Sequence, residues 1–134
     1  MSKILIVCTS WYEDHLKKMI QISKTSFESE YDIQFLTAPG AIELAALAKN
    51  SLNKENFSGI LFLGIIMRGE TSHYDLVSQE TFRSIGNLAL EFPDKAVINN
   101  VICIENETQL VERIEKNTLN NCNALKNLIH EKSC

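Results

Sequence analysis

Residues 68–75, RGETSHYD, set an arginine, a glycine, two hydroxyls and a histidine directly after the apolar run GILFLGIIM. A turn at that point requires only Gly69. If Glu70, Thr71 and Ser72 open a helix, their unpaired N–H groups and the positive end of the helix dipole form an anion site, with phosphate the natural guest. The hydroxyls of Thr71 and Ser72 would add donors. Plain N-capping by Thr71 or Ser72 accounts for the same residues equally well. His73 comes next and places an imidazole beside that anion, where it could move protons near neutral pH. A lone histidine more often just bonds a carbonyl, but the company of His73 shifts the reading toward chemistry.

Three other stretches carry comparable equipment. Trp11, the only tryptophan, follows the apolar run KILIVCT among Ser10, Tyr12, Glu13 and Asp14. An aromatic at a strand's carboxyl end suits stacking on a planar heterocycle, with packing at the core's rim as the competing reading. In APGAIE, Pro39 and Gly40 shape a turn, and Glu43 sits where a helix would begin. The dipole favours a carboxylate there, and binding the hydroxyls of a sugar-like ligand is the sharper alternative. Arg113 lies in a charged helical stretch, where a solvated ion pair is the usual role, and Arg68 can pair with Asp75. His15 and His130 lack such neighbours and read as surface residues.

The elements that must position these groups follow from periodicity. Apolar or alternating runs at 3–9, 31–37, 57–67 and 96–104 read as strands. Between them, Leu16, Met19, Ile20, Ser23 and Phe27 keep helical spacing, as do Ala41, Leu44, Ala45, Ala48 and Leu52, and Val77, Thr81, Ile85, Leu88 and Phe92. ENETQLVERIEK opens a helix with Asn106 as cap and Gln109 three residues on, close to a capping box. Leu119, Cys122, Leu125, Leu128 and Ile129 mark a last helix, continuous with the previous one through a bend. Four alternations without hairpin signals predict a three-layer α/β/α sandwich of flavodoxin-like type with a four-stranded parallel sheet, residues 1–134 making one domain. In such sheets ligands bind beyond the carboxyl ends of the strands. SWYED, APGAIE, RGETSH and the pair Asn99-Asn100 of the fourth strand all point at that edge.

Composition bounds the alternatives. In 134 residues, 45% are hydrophobic and 22% charged, ordinary values for a globular chain. A net charge of −4 without a basic stripe excludes a broad nucleic-acid surface. No apolar run approaches the roughly 20 residues of a membrane helix. Without an export pattern at the N-terminus, a cytoplasmic location is expected. The four cysteines form no C-x-x-C pair and read as thiols rather than metal ligands.

Together these segments resemble the lumazine synthase family. PGAIE is similar to the family's P-G-A-F-E, and LGIIMRGETSHYDLVSQE to L-G-x-V-I-R-G-E-T-x-H-[FY]-D-x-V-x-x-E. NNVICIENETQLVERI is similar to N-G-V-L-T-x-E-N-x-E-Q-A-x-x-R, and IVCTSWYED fits the strand that delivers the family's aromatic. The resemblance runs from about residue 3 to 115. It implies condensation of 5-amino-6-ribitylaminouracil with 3,4-dihydroxy-2-butanone 4-phosphate. An imine forms, phosphate leaves, and ring closure gives 6,7-dimethyl-8-ribityllumazine, with no metal or organic cofactor.

By position, the resemblance implies that Trp11 stacks on the pyrimidinedione while Ala41, Ile42 and Glu43 hold the ribityl chain. Ile65, Ile66 and Met67 would line the ring pocket, Glu70 and Thr71 would receive the phosphate, and His73 would shuttle protons. Asn99 and Arg113 would come from a neighbouring subunit, with Arg113 clamping the phosphate. The implied assembly is a homo-oligomer, a pentamer or larger. Trp11 replaces the family's usual phenylalanine. The segment after Arg113, usually rich in glycine and lysine, reads IEKNTLNNC, which leaves a second basic phosphate contact open. The chain starts almost at its first strand, an expectation in favour of a simple pentamer over a shell. The rival readings are a non-catalytic flavin- or lumazine-binding protein and a shell-forming protein of the same fold.

Overall fold

The computed structural model describes residues 1–69 and 72–133. Four strands, β1 (Lys3–Thr9), β2 (Asp32–Ala38), β3 (Gly59–Met67) and β4 (Ala96–Ile104), alternate with α1 (Glu13–Phe27), α2 (Leu44–Leu52), α3 (His73–Glu91) and α4 (Glu107–Ser133). All pairings are parallel, in the order β2-β1-β3-β4. The expected three-layer sandwich is what forms. Ile4–Thr9 of β1 and Gly59–Ile66 of β3 are buried throughout, as strands covered on both faces must be. The chain runs from β1 out to β2 and back across to β3, so strand order reverses beside the carboxyl ends of β1 and β3.

Each helix turns one stripe inward. Leu16, Met19 and Phe27 of α1 join Leu110, Ile114, Cys122 and Leu125 of α4 against one face of the sheet. On the other face, Leu44, Ala45, Ala48 and Leu52 of α2 meet Ile85 and Leu88 of α3. The two expected helical stretches form one helix: α4 runs unbroken for 27 residues, about 40 Å at 1.5 Å per residue. Thr118 continues the inward row of Leu110 and Ile114, and Leu119 is turned out, half exposed. A polar cluster pins this helix to β4: Asn100 Nδ2 donates to Thr118 Oγ1 at 3.0 Å and Asn121 Nδ2 donates to Asn100 Oδ1 at 2.6 Å. The start of α4 is capped nearly as expected. Asn106 Oδ1 accepts from the Gln109 N–H at 3.1 Å, and Gln109 Oε1 reaches back to the N–H of Glu105 at 2.8 Å. At the start of α3, Ser72 makes no side-chain cap, and the other capping candidate, Thr71, lies outside the described residues.

Candidate active site

Three loops meet at the carboxyl end of the sheet, on the side covered by α2 and α3. After β1 the chain turns at Tyr12, whose backbone is left-handed with φ 58° and ψ 52°. That conformation costs a residue with a Cβ about 1–2 kcal/mol, so the turn placing Trp11 is mildly strained. The carbonyl of Tyr12 accepts from the N–H groups of His15 and Leu16, both at 3.0 Å, which anchors the turn to α1. Trp11 is 64% exposed, yet its Nε1 donates to the Pro39 carbonyl at 3.1 Å. The first loop is thereby tied to the second.

The second loop follows β2. Gly40 is extended, and a Cβ there would sit 3.4 Å from Oε1 of Glu43, so the missing side chain leaves room for that carboxylate. Ala41–Glu43 form a single 3₁₀ turn, and Glu43 therefore precedes α2 instead of lying within it. Its Oε2 is buried without a hydrogen-bond partner. Ile42 is half exposed.

The third loop leaves β3 at Ile65, Ile66 and Met67. Arg68 is held on three sides: Nη2 donates to Asp75 Oδ1 at 3.1 Å, Nε lies 3.4 Å from Glu105, and the guanidinium sits 4.4 Å from the Tyr74 ring centre. The expected pairing with Asp75 is present, and Arg68 works as a brace between β3, α3 and the end of β4. Glu70 and Thr71, the two phosphate candidates, lie outside the described residues. His73 begins α3.

These loops enclose a cavity of about 380 Å³, within the roughly 300–1,000 Å³ typical of small-molecule sites. Trp11, Ala41, Ile42, Glu43, Ile65, Ile66, Met67 and His73 all line it. The indole and the imidazole thus share one mouth. Its walls are largely apolar, with few polar groups. Burial, reinforced by Cys103, pushes the Tyr74 phenol above its ordinary range, and Arg68 only partly opposes this. Tyr74 therefore keeps its proton at neutral pH and borders the cavity as a neutral O–H.

Two expected site residues lie elsewhere in the chain. Asn99 stands opposite Phe62 in mid-strand, and its Oδ1 accepts from the N–H of Val101 at 2.8 Å. Arg113 is exposed on α4 and donates from Nη1 to the Cys103 carbonyl at 3.2 Å. Neither lines the cavity of its own chain. Asn100 also fails to reach the mouth, because it faces α4. Conversely, Thr9, Tyr12, Tyr74 and Val77 line the cavity without having been singled out. The signal for Thr9 was a hydroxyl ending an otherwise apolar strand, and for Tyr74 an aromatic beside His73.

His15 and Glu107 join the starts of α1 and α4 at 3.2 Å, so His15 serves a structural contact away from the cavity. Among the described residues no group of three or more His, Cys, Asp or Glu side chains is placed to hold a metal ion. No helix among them is long and apolar enough to cross a membrane.

A sequence profile of the 6,7-dimethyl-8-ribityllumazine synthases matches residues 1–130. A 6,7-dimethyl-8-ribityllumazine synthase of Novosphingobium aromaticivorans is 32% identical over 117 residues, covering 86% of this chain and 82% of the relative. One from Erythrobacter litoralis is 34% identical over 117 residues, covering 86% and 81%. A Neisseria meningitidis enzyme of the same name is 34% identical over 88 residues, covering 66% of this chain and 55% of its own length.

Proposed function

The chain belongs to the 6,7-dimethyl-8-ribityllumazine synthase family, and on that premise we propose how its cavity works. The enzyme is a transferase that joins 5-amino-6-ribitylaminouracil to 3,4-dihydroxy-2-butanone 4-phosphate and releases phosphate. The observation that carries this reading is that Trp11 and His73, delivered by different strands, line one cavity with Glu43 between apolar walls. Trp11 stacks on the pyrimidinedione, and Ile65, Ile66 and Met67 pack around its ring. Ala41, Ile42 and Glu43 take the ribityl chain. Glu70 and Thr71 receive the phosphate through backbone N–H groups just before α3, and His73 moves protons beside it.

The first step is attack of the uracil's amine on the ketone carbonyl, with loss of water to give an imine. A proton then leaves the adjacent carbon as phosphate departs with the C–O bonding electrons, and the resulting enol tautomerises to a ketone. The ribitylamino nitrogen attacks that carbonyl, and a second water is lost as the ring closes. The substrate itself supplies the nucleophile, so the chain needs none of its own. Proximity and orientation of two bound reactants supply about 7–11 kcal/mol in well-aligned cases. A largely apolar cavity with an imidazole at its rim suits that division of labour.

The working unit is a homo-oligomer, a pentamer or larger, in which Asn99 and Arg113 complete the cavity of the adjoining subunit. Support comes from their placement away from their own cavity, and from the exposed Leu76, Phe82 and Leu90 on α3 and Val111 and Leu119 on α4. Exposed apolar side chains on helices of both outer layers suit burial against neighbouring copies. A cytoplasmic setting belongs to the same reading, since Cys8, Cys103 and Cys122 are all free thiols.

Mixing the two substrates with the protein tests the activity. Appearance of lumazine fluorescence together with stoichiometric phosphate is the expected result. Tight binding of the lumazine without turnover would leave a flavin- or lumazine-binding protein instead. Hybrid oligomers of Trp11→Ala and Arg113→Ala chains test the shared site. They should regain activity that neither variant has alone.

A further inference from the structure

Thr9 ends β1 with 3% of its surface exposed, and its hydroxyl has no hydrogen-bond partner. Buried hydroxyls are nearly always paired, so an orphan calls for a reason. On the other face of the sheet the rule holds: Ser23 Oγ donates to the Met19 carbonyl at 2.8 Å, and Asn100 is satisfied by Thr118 and Asn121. Thr9 differs from these in one respect, because it lines the cavity. A second orphan, Oε2 of Glu43, lines the same cavity. Both orphans thus belong to residues of one cavity wall, where a guest would be the nearest source of partners.

Gly64 lies alongside on β3, where a Cβ would make ordinary contact with Thr9, 3.4 Å from Cγ2 and 3.5 Å from Oγ1. Rotation about χ1 between staggered wells exchanges the methyl and hydroxyl of Thr9. A carboxylate only accepts hydrogen bonds, whereas a hydroxyl both donates and accepts. The pair therefore suits a polyol, one of whose hydroxyls must donate to Glu43 while another engages Thr9 in either sense.

We propose that Thr9 is a substrate-binding residue whose hydroxyl, together with Glu43 Oε2, selects the hydroxylated side chain of the heterocyclic substrate. The assignment rests on the functional reading above and adds a contact that reading lacks. Titration calorimetry on the intact oligomer tests it with two ligands, 6,7-dimethyl-8-ribityllumazine and its analogue carrying a plain pentyl chain. Thr9→Val keeps the shape and removes the hydroxyl. It should weaken the ribityl compound about tenfold, the scale of one hydrogen bond, leave the pentyl analogue unchanged, and raise the melting temperature. Thr9→Ser, which keeps the hydroxyl, should restore ribityl binding, and Thr9→Ala provides a second deletion if the valine packs badly. Equal losses for both ligands, or no loss for either, would overturn the assignment. If the wild-type protein turns over substrate while Thr9→Val binds normally, only the Thr9 inference fails. If the wild type binds neither ligand, the functional reading falls and takes this one with it.

Discussion

The two faces of the sheet solve the same problem differently. Against α1 and α4, the buried polar side chains Ser23, Asn100 and Thr118 are joined to one another or to backbone, and Cys122 Sγ lies 3.7 Å from Ser23 Oγ. Against α2 and α3, Thr9, Thr81 and Glu43 bury oxygens without a hydrogen-bond partner among the described residues. Two of these three border the cavity. Thr81 does not, and the structure offers no account of it. The contrast separates a face whose buried polar groups are paired within the chain from one that leaves three oxygens unpaired among the described residues.

Deleting a large side chain from the paired face is the harshest way to break the contrast. Phe27 is fully buried and meets Tyr31 edge-on at 6.2 Å. Phe27→Ala should cost about 3–5 kcal/mol in a denaturant titration, and a loss below 1 kcal/mol would mean that this face is looser than its burial suggests. His73→Ala touches the open face instead. Its turnover should fall about 10²-fold, the low end for loss of proton transfer; unchanged turnover would remove His73 from the mechanism.

Asn100→Ala sharpens the comparison further, because it strands Thr118 and Asn121. A stability loss of about 1–3 kcal/mol is expected, with the KM for the uracil unchanged, the reverse of what removing the Thr9 hydroxyl should do. The smallest effect is at the start of α4. Asn106→Ala should cost about 1 kcal/mol, seen as a modest drop in thermal midpoint without change in catalytic constants.

Much of this division was legible in the sequence. The alternation of short apolar runs with 3.6-residue stripes carried the sheet, its parallel sense and three of its four helices. Trp11, Glu43 and His73 stood out because polar or aromatic groups directly after buried strands have little structural reason to be there. What escaped depended on the third dimension. Leu119 was misassigned inward because the neighbouring Thr118 takes the core position instead, and a shift of one residue turns a side chain by about 100°. Asn100 was grouped with the mouth because alternation tells which face a strand residue takes only once register is known. Thr9 had a sequence signal, a hydroxyl closing an apolar strand, but its unpaired state had none, because a missing hydrogen bond has no sequence pattern.

The indole at the cavity rim has a practical consequence. As the chain's sole tryptophan, held at its ring nitrogen yet largely open to water, Trp11 is a built-in optical reporter of occupancy. Selective excitation near the red edge of protein absorption would sample this one site, and arrival of a stacked heterocycle would quench its emission. Affinities, pre-steady-state filling and competition between ligands then become readable in unlabelled protein, one signal per cavity.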